Sequence, residues 1–434
     1  MDKDIVAVGG FVVLFVLMLL RVPIGIAMGI VGVGGFALVN NNFSSALGLL
    51  AGSPFSTVTD FNFSIIPMFI LMGAFASASG MSSDLFRASQ AWLGHLRGGL
   101  AMSTIAACGG FAAINGSSVA TAATMTRVAL PELRRAGYSP GLSTGVIAAG
   151  GTLGIMIPPS VIFVLYGIMT QTDIGKLFIS GIVPGVLGVL MYIGTLQILG
   201  WRDPSRMPRG KRSSWPQRIA ATKDIWETLL LFLFVIGGMY GGWFTVTEAA
   251  SMGAMGALVL GLIQRRLDAK AIMQCLVESL RTTAAIFMIV IGAYLFGYFL
   301  TITQTTQKLI ALLVALPIGA YGVLAIILGM YFILGAIMDE LAMILLTVPI
   351  VFPVMMQLGF DPVWFGVIIV MAVTLGLICP PVGMNVFVIN SIARDVSLGT
   401  IYRGVMPFIV SDIVRLTILC AFPALSLYLP RSMG

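Results

Sequence analysis

The chain has 434 residues, 58% hydrophobic and only 9% charged, with a formal net charge of +7. A soluble protein of this size carries roughly 25% charged residues, so the composition excludes a soluble globule and requires an all-α polytopic membrane protein. Cys108, Cys275, Cys379 and Cys420 lie scattered in apolar segments without ligand-like spacing, which reads as packing and not as a disulfide framework or transition-metal site.

In chain order, MDKDIVAVGGFVVLFVLMLL has no Ala-x-Ala-like cleavage site, and its apolar pattern runs on past Arg21 and Pro23, so it is expected to be a retained first span. Spans are expected near 5–20, 23–39 and 60–80, then an amphipathic connector near 83–97. The stretch 98–133 is too long for one crossing and carries Asn115-Gly116-Ser117-Ser118 at its centre, which predicts a re-entrant helical hairpin; alone, that tetrapeptide also suits an external loop. The apolar stretch 140–171 is interrupted by GTLGIMIPPS, with Pro158-Pro159 inside it, and a span near 176–200 follows. From 201 to 223, Arg202, Arg206, Arg209, Lys211, Arg212, Arg218 and Lys223 face one acid, Asp203, which places this loop in the cytoplasm and, counting back, the N-terminus outside. Beyond it come spans near 225–242 and 246–264, a connector near 266–280 and a span near 281–300. A second hairpin at 320–357 has Gly335 and Met338-Asp339-Glu340 at its tip; a second interrupted stretch, 362–392, contains VTLGLICPPV, and a last span runs near 404–428.

Pro158 and Pro380 stand 222 residues apart, and at the same spacing Pro131 meets Pro353, Gly137 meets Gly359, Pro140 meets Pro362, Thr152 meets Thr374, Gly154 meets Gly376 and Ser117 meets Asp339. FILMGAFA at 69–76 also resembles IVIGAYLF at 289–296. These matches describe two homologous halves, roughly 60–185 and 280–407. The division is 1–59 N-terminal scaffold spans, 60–200 first repeat, 201–223 basic loop, 224–279 scaffold spans and connector, 280–407 second repeat, and 408–434 the end of the last span. The first hairpin ends in Arg127, Arg134 and Arg135, whereas its counterpart has no Lys or Arg, so the repeats are inverted and a site is expected near the bilayer midplane. At each Pro-Pro a helix stops, leaves carbonyls free at Gly154 or Gly376, and restarts. Carbonyl ends suit a cation and helix N-termini an anion.

Other chemistry is sparse. His95, the single histidine, falls beside Arg97 at the expected cytoplasmic interface. Glu248 reads as an N-terminal helix acid or a substrate contact, and Asp339 and Glu340 as cation ligands or a cap. No phosphate-binding Gly-x-x-x-x-Gly-Lys loop, Ser-His-Asp set or Gly-x-Ser-x-Gly elbow occurs, so nothing supports an enzyme. Nothing in the charge distribution asks for nucleic acid.

FSIIPMFILMGAF, INGSSVATAAT, GTLGIMIPPSVIFVLYG, GWFTVTEAA and TVPIVFPVMMQLGFDPVWFGVI with GLICPPVGMNVFVI resemble the large membrane subunit of the tripartite ATP-independent periplasmic (TRAP) transporters, through nearly the whole chain. The resemblance implies a bacterial inner-membrane permease that is driven by sodium and moves a transport domain past a scaffold in elevator fashion. It implies a small four-span membrane subunit, expected on a separate polypeptide, a periplasmic substrate-binding protein, and a small organic anion of the C4-dicarboxylate, sugar-acid or sulfonate class. No cofactor is implied beyond sodium as coupling ion. Carried onto this sequence, one sodium site would involve Asn115, Ser117, Ser118, Thr152 and Gly154. The other would involve Gly335, Met338, Asp339, Thr374, Gly376 and Cys379, the last through its carbonyl. Substrate would touch Gly116, Pro158, Pro159, Ser160, Pro380, Pro381 and Asn385. The rival expectation is a stand-alone sodium:organic-anion symporter that needs no binding protein.

Overall fold

The computed structural model describes residues 2–204, 207–210 and 212–432; Arg206 and Lys211 of the basic stretch lie outside the described residues. Every named element among the described residues is helical. The chain opens with α1 (Lys3–Leu19), α2 (Ile24–Asn40) and α3 (Phe43–Thr59), then passes through a short turn into α4 (Ile65–Ala78) and α5 (Met81–Leu93). The first hairpin is α6 (Gly99–Asn115) and α7 (Ser118–Arg135), and the first broken helix is α8 (Pro140–Met156) and α9 (Val161–Thr170). After α10 (Ile174–Arg202) come α11 (Trp215–Lys223) within the basic loop, α12 (Trp226–Tyr240), α13 (Val246–Ile263), α14 (Ala269–Ile302) and α15 (Thr305–Val314). The second half repeats the plan with hairpin α16 (Gly319–Gly335) and α17 (Glu340–Gln357), broken helix α18 (Pro362–Gly376) and α19 (Met384–Ile392), then α20 (Leu398–Ala421) and α21 (Ala424–Arg431). Among the described residues, seven helices are long and apolar enough to cross a membrane, and the hairpin arm α6 is a shorter apolar helix.

The repeat is visible in the helix ends. Helices α7 and α17 have bounds that match at the 222-residue spacing, with Ser117 and Asp339 as their N-caps. Helices α8 and α18 both begin on a proline at the first position, Pro140 and Pro362, behind capping Ser139 and Asp361. The turns before them share a left-handed glycine, Gly137 and Gly359, both at φ 83°.

The equivalent broken helices run in opposite directions. At one end Gly141 and Gly145 of α8 touch Gly404 near the start of α20, and Arg134 pairs with Asp395 just after α19. At the other end, Tyr166 of α9 donates to the Pro362 carbonyl at the start of α18, at 2.7 Å. The start of α8 therefore shares an end with the finish of α19, the arrangement of inverted repeats. Lys308 of α15 contacts Asp4, so α1 begins at the end where α14 finishes, the side the charge rule assigns to the outside.

Two expectations about elements are corrected. The connector near 266–280 and the span near 281–300 form one helix, α14, because Ala269 to Ile291 contains neither Gly nor Pro. The last span is interrupted at Phe422-Pro423, so 404–428 spreads over α20 and α21. Helices α3 and α15 were not expected. Helix α3 starts where α2 ends and delivers the chain to Asp60, which lines one cavity with Thr172 and Thr245; it thus begins and ends at the outer face and lies across it.

Helices α2 and α14 pack through small residues. A Cβ on Gly25 of α2 would meet the Met288 carbonyl of α14 at 2.5 Å, and one on Gly32 the Leu295 backbone at 2.5 Å, a close helix crossing that only glycine permits.

Two hairpin tips against two broken helices as the candidate functional site

Each break follows from its prolines. Pro158 and Pro159 lack the N–H groups that the carbonyls of Gly154 and Ile155 would accept in a continuous helix. Pro380 and Pro381 do the same to Gly376 and Leu377. In the second break these carbonyls find local substitutes: Gly376 accepts from Cys379 N at 3.3 Å and Leu377 from Asn385 N at 3.1 Å. Both Pro-Pro peptide bonds are cis. Beyond the first break, Ser160 caps α9 by accepting from Phe163 N.

The first tip rests directly on the first break. Gly116 adopts φ 65°, and a Cβ there would stand 2.5 Å from the Pro159 carbonyl oxygen. A Cβ on Gly154 would stand 2.5 Å from the Ser117 carbonyl oxygen. Asn115 donates through Nδ2 to the Ser117 carbonyl at 3.3 Å and to Thr121 Oγ1 at 3.2 Å, while the Ser117 hydroxyl accepts from Ala120 N. The structure therefore gathers Asn115, Gly116, Ser117, Gly154, Pro158, Pro159 and Ser160 into one buried cluster, with only Ser117 partly exposed.

The second tip makes the matching contacts with different residues. Gly335 and Gly376 meet backbone to backbone, a Cβ on Gly376 standing 2.5 Å from Gly335 Cα. Asp339 accepts from Leu341 N and Ala342 N, both at 3.1 Å, so it caps α17. Val382 N donates to the Ala336 carbonyl at 3.2 Å, which ties tip to break. Met338, Thr374 and Cys379 are buried there, but Pro380 and Pro381 are exposed. Glu340 Oε2 is buried without a hydrogen-bond partner among the described residues. The two halves thus differ: the first break is sealed and the second is open.

One contact joins the halves at mid-depth. Asn385 of α19 donates to Ser118 Oγ of α7 at 2.8 Å and to the Ala148 carbonyl of α8 at 3.3 Å, and both side chains are fully buried. Asn385 is accordingly buried with Ser118, whereas Pro380 and Pro381 are exposed.

The remaining sequence candidates fall elsewhere. Glu248 closes a capping box with Thr245 at the start of α13. His95 lies 3.5 Å from Arg218, whose guanidinium sits over Trp92 and Trp215, so the basic loop folds onto the end of α5. Three buried residues escaped the sequence reading: Tyr192 of α10 with Asp412 and Arg415 of α20. Opposite charges three residues apart inside an apolar span were the available signal.

A family model, the DctM component of the tripartite ATP-independent periplasmic transporters, matches residues 11–425. The chain belongs to this TRAP transporter family. The permease is 36% identical over 403 residues to the C4-dicarboxylate TRAP transporter large permease protein DctM of Pseudomonas aeruginosa, covering 90% of this chain and 93% of that one. It is 33% identical over 425 residues to the isethionate TRAP transporter permease protein DctMQ of Oleidesulfovibrio alaskensis, covering 96% of this chain and 65% of that longer protein. Among solved structures, the YdaH transporter of Alcanivorax borkumensis shares the fold alone, with a TM-score of 0.61 at 16% identity over 88% of this chain and 89% of that one. A TRAP large permease is a multi-pass membrane transport protein and not an enzyme.

Proposed function

We propose that this permease is the translocating subunit of a sodium-coupled importer in a bacterial inner membrane. It takes a small organic anion from a periplasmic binding protein and works beside a small four-span membrane subunit. The observation that carries this reading is the doubled arrangement of hairpin tip on helix break. Each pairing concentrates backbone oxygens and a helix N-terminus in one place, the first without a carboxylate and the second with Asp339 and Glu340. Hard cations prefer oxygen ligands, so the first sodium site is assigned to Asn115, Ser117, Ser118, Thr152 and Gly154. The second is assigned to Gly335, Met338, Asp339, Thr374, Gly376 and Cys379. The anion is assigned to Gly116, Pro158 to Ser160, Pro380, Pro381 and Asn385. Relatives named for C4-dicarboxylate and isethionate support a small carboxylate or sulfonate, with sugar acids in the same class. No other cofactor enters the scheme. Inverted halves around one site support alternating exposure by an elevator movement.

The test is uptake into proteoliposomes that contain the permease and its small subunit, using a panel of organic acids under an inward sodium gradient. Uptake that requires both sodium and the cognate binding protein is expected, with loss in Ser117→Ala or Asp339→Ala. Sodium-driven uptake by this chain alone would instead make it a stand-alone symporter.

A further inference from the structure

A polar chain runs from the second half of α20 to the first broken helix, wholly inside the protein. Arg415 and Asp412 are 1% and 0% exposed, and Arg415 Nη2 stands 2.8 Å from Asp412 Oδ1. The guanidinium also lies over the Tyr192 ring, 5.5 Å from its centroid. Asp412 Oδ2 accepts from Tyr192 Oη at 2.6 Å, and Tyr192 Oη is 3.0 Å from Thr152 Oγ1. Thr152 Oγ1 is in turn 2.7 Å from the Ala149 carbonyl. The geometry has no slack: a Cβ on Gly188 would overlap Arg415 Nη1, and Gly404 lets α20 lie directly on Gly141 and Gly145 of α8.

Hydrogen-bond counting fixes the direction of this chain. A carboxylate paired with Arg415 only accepts, so the single hydroxyl hydrogen of Tyr192 goes to Asp412. Towards Thr152, Tyr192 can therefore only accept. The Thr152 hydrogen is taken by Tyr192 or by the Ala149 carbonyl, and no donor reaches its lone pairs from the network. In the second half, Thr374 repeats the backbone bond, to Met371 O at 2.6 Å, and among the described residues its hydroxyl otherwise meets the Met371 sulfur at 3.7 Å. The position equivalent to Tyr192 is Val414, which is exposed. A buried ion pair is expensive and is weak evidence for stability as such, which leaves its effect on Thr152 as the distinguishing consequence.

We propose that Tyr192, Asp412 and Arg415 are positioning residues that hold the Thr152 hydroxyl as a lone-pair donor for a monovalent cation at the first tip, a tuning absent from the second. This rests on the sodium-site reading above. The experiment needs no organic solute: the purified full-length chain is melted in increasing sodium chloride, with choline chloride replacing it, and the sodium concentration giving half-maximal stabilisation is read. Tyr192→Phe removes one hydroxyl and should raise that concentration about fivefold, the change expected from one hydrogen bond of ~1 kcal/mol. In a Thr152→Val background it should add nothing. Asp412→Asn, which can donate to Tyr192 and reverse the chain, should act in the same direction and serves if Tyr192→Phe does not fold. A Tyr192→Phe protein that melts lower in choline but keeps the wild-type sodium midpoint would make the network merely structural and overturn the proposal. If sodium does not stabilise the wild-type chain, the sodium-site reading itself fails.

Discussion

At the scale of single residues, the site is built by the absence of side chains as much as by their presence. Gly154 faces the Ser117 carbonyl and Gly376 faces Gly335, at distances where a methyl group has no room. Gly154→Ala should lift the first tip and cost about 1–3 kcal/mol of overpacking, with uptake reduced tenfold or more in a protein that still purifies. Gly9→Ala, in open space on α1, is the matched control and should transport normally; equal uptake by both variants would show that tip and break need not touch. Gly154 and Gly376 were legible because they match each other 222 residues apart. Tyr192 and Asp412 were not, since neither has a twin, and only folding brings α10 and α20 together at Thr152. The burial of Asn385 against Ser118 was equally hidden: both residues were suspected separately, but no local pattern pairs positions on different halves.

At the scale of the elements, several helix starts carry a chemical signal in the sequence. Ser117, Ser139, Asp339 and Asp361 announce helix starts because a short polar side chain can satisfy the first free N–H groups. Proline at Pro140 and Pro362 confirms them. Elsewhere the reading failed: nothing separates the connector from the span in α14, and although Asn42 caps α3 by accepting from Ser45 N, nothing in its polar-apolar mixture marks it as a helix lying on the outer face. Between elements, the tie from α7 to the loop after α19 yields a prediction about pH. The Arg134 guanidinium donates to Asp395 at 3.0 Å and holds its carboxyl below the usual carboxylate range. A depressed value means the tie is complete above the ordinary carboxylate range and is lost only as pH falls through the lower value. Uptake measured between about pH 5 and about pH 8 should therefore show no step from this pair. Asp395→Asn should leave the shape of that profile unchanged; a step that disappears in the variant would contradict this assignment.

At the scale of the molecule, the elevator reading makes the glycine-knitted helices α2 and α14 a fixed scaffold and the hairpins, broken helices, α10 and α20 a moving body. Helix α4 stands between them, with Phe69 stacked edge-on against Phe178 of α10 at a centroid distance of 5.7 Å. If that body travels, this contact must break in every cycle. Cysteines at Phe69 and Phe178, in a background lacking the four native cysteines, joined by a short bifunctional thiol reagent, should abolish uptake while single-cysteine controls keep it. Full activity in the joined protein would mean that α10 and α4 move as one. The unequal sealing of the two breaks has a further consequence, for the order of events in time. Pro380-Pro381 is open to solvent, whereas the first break lies beneath Gly116. A solute arriving in this state would meet Pro380-Pro381 directly, and would reach Pro158-Pro159 only once the Gly116 tip rises. Access to the two breaks would then be sequential, with the rise of the first tip, and not the affinity at either break, setting the pace.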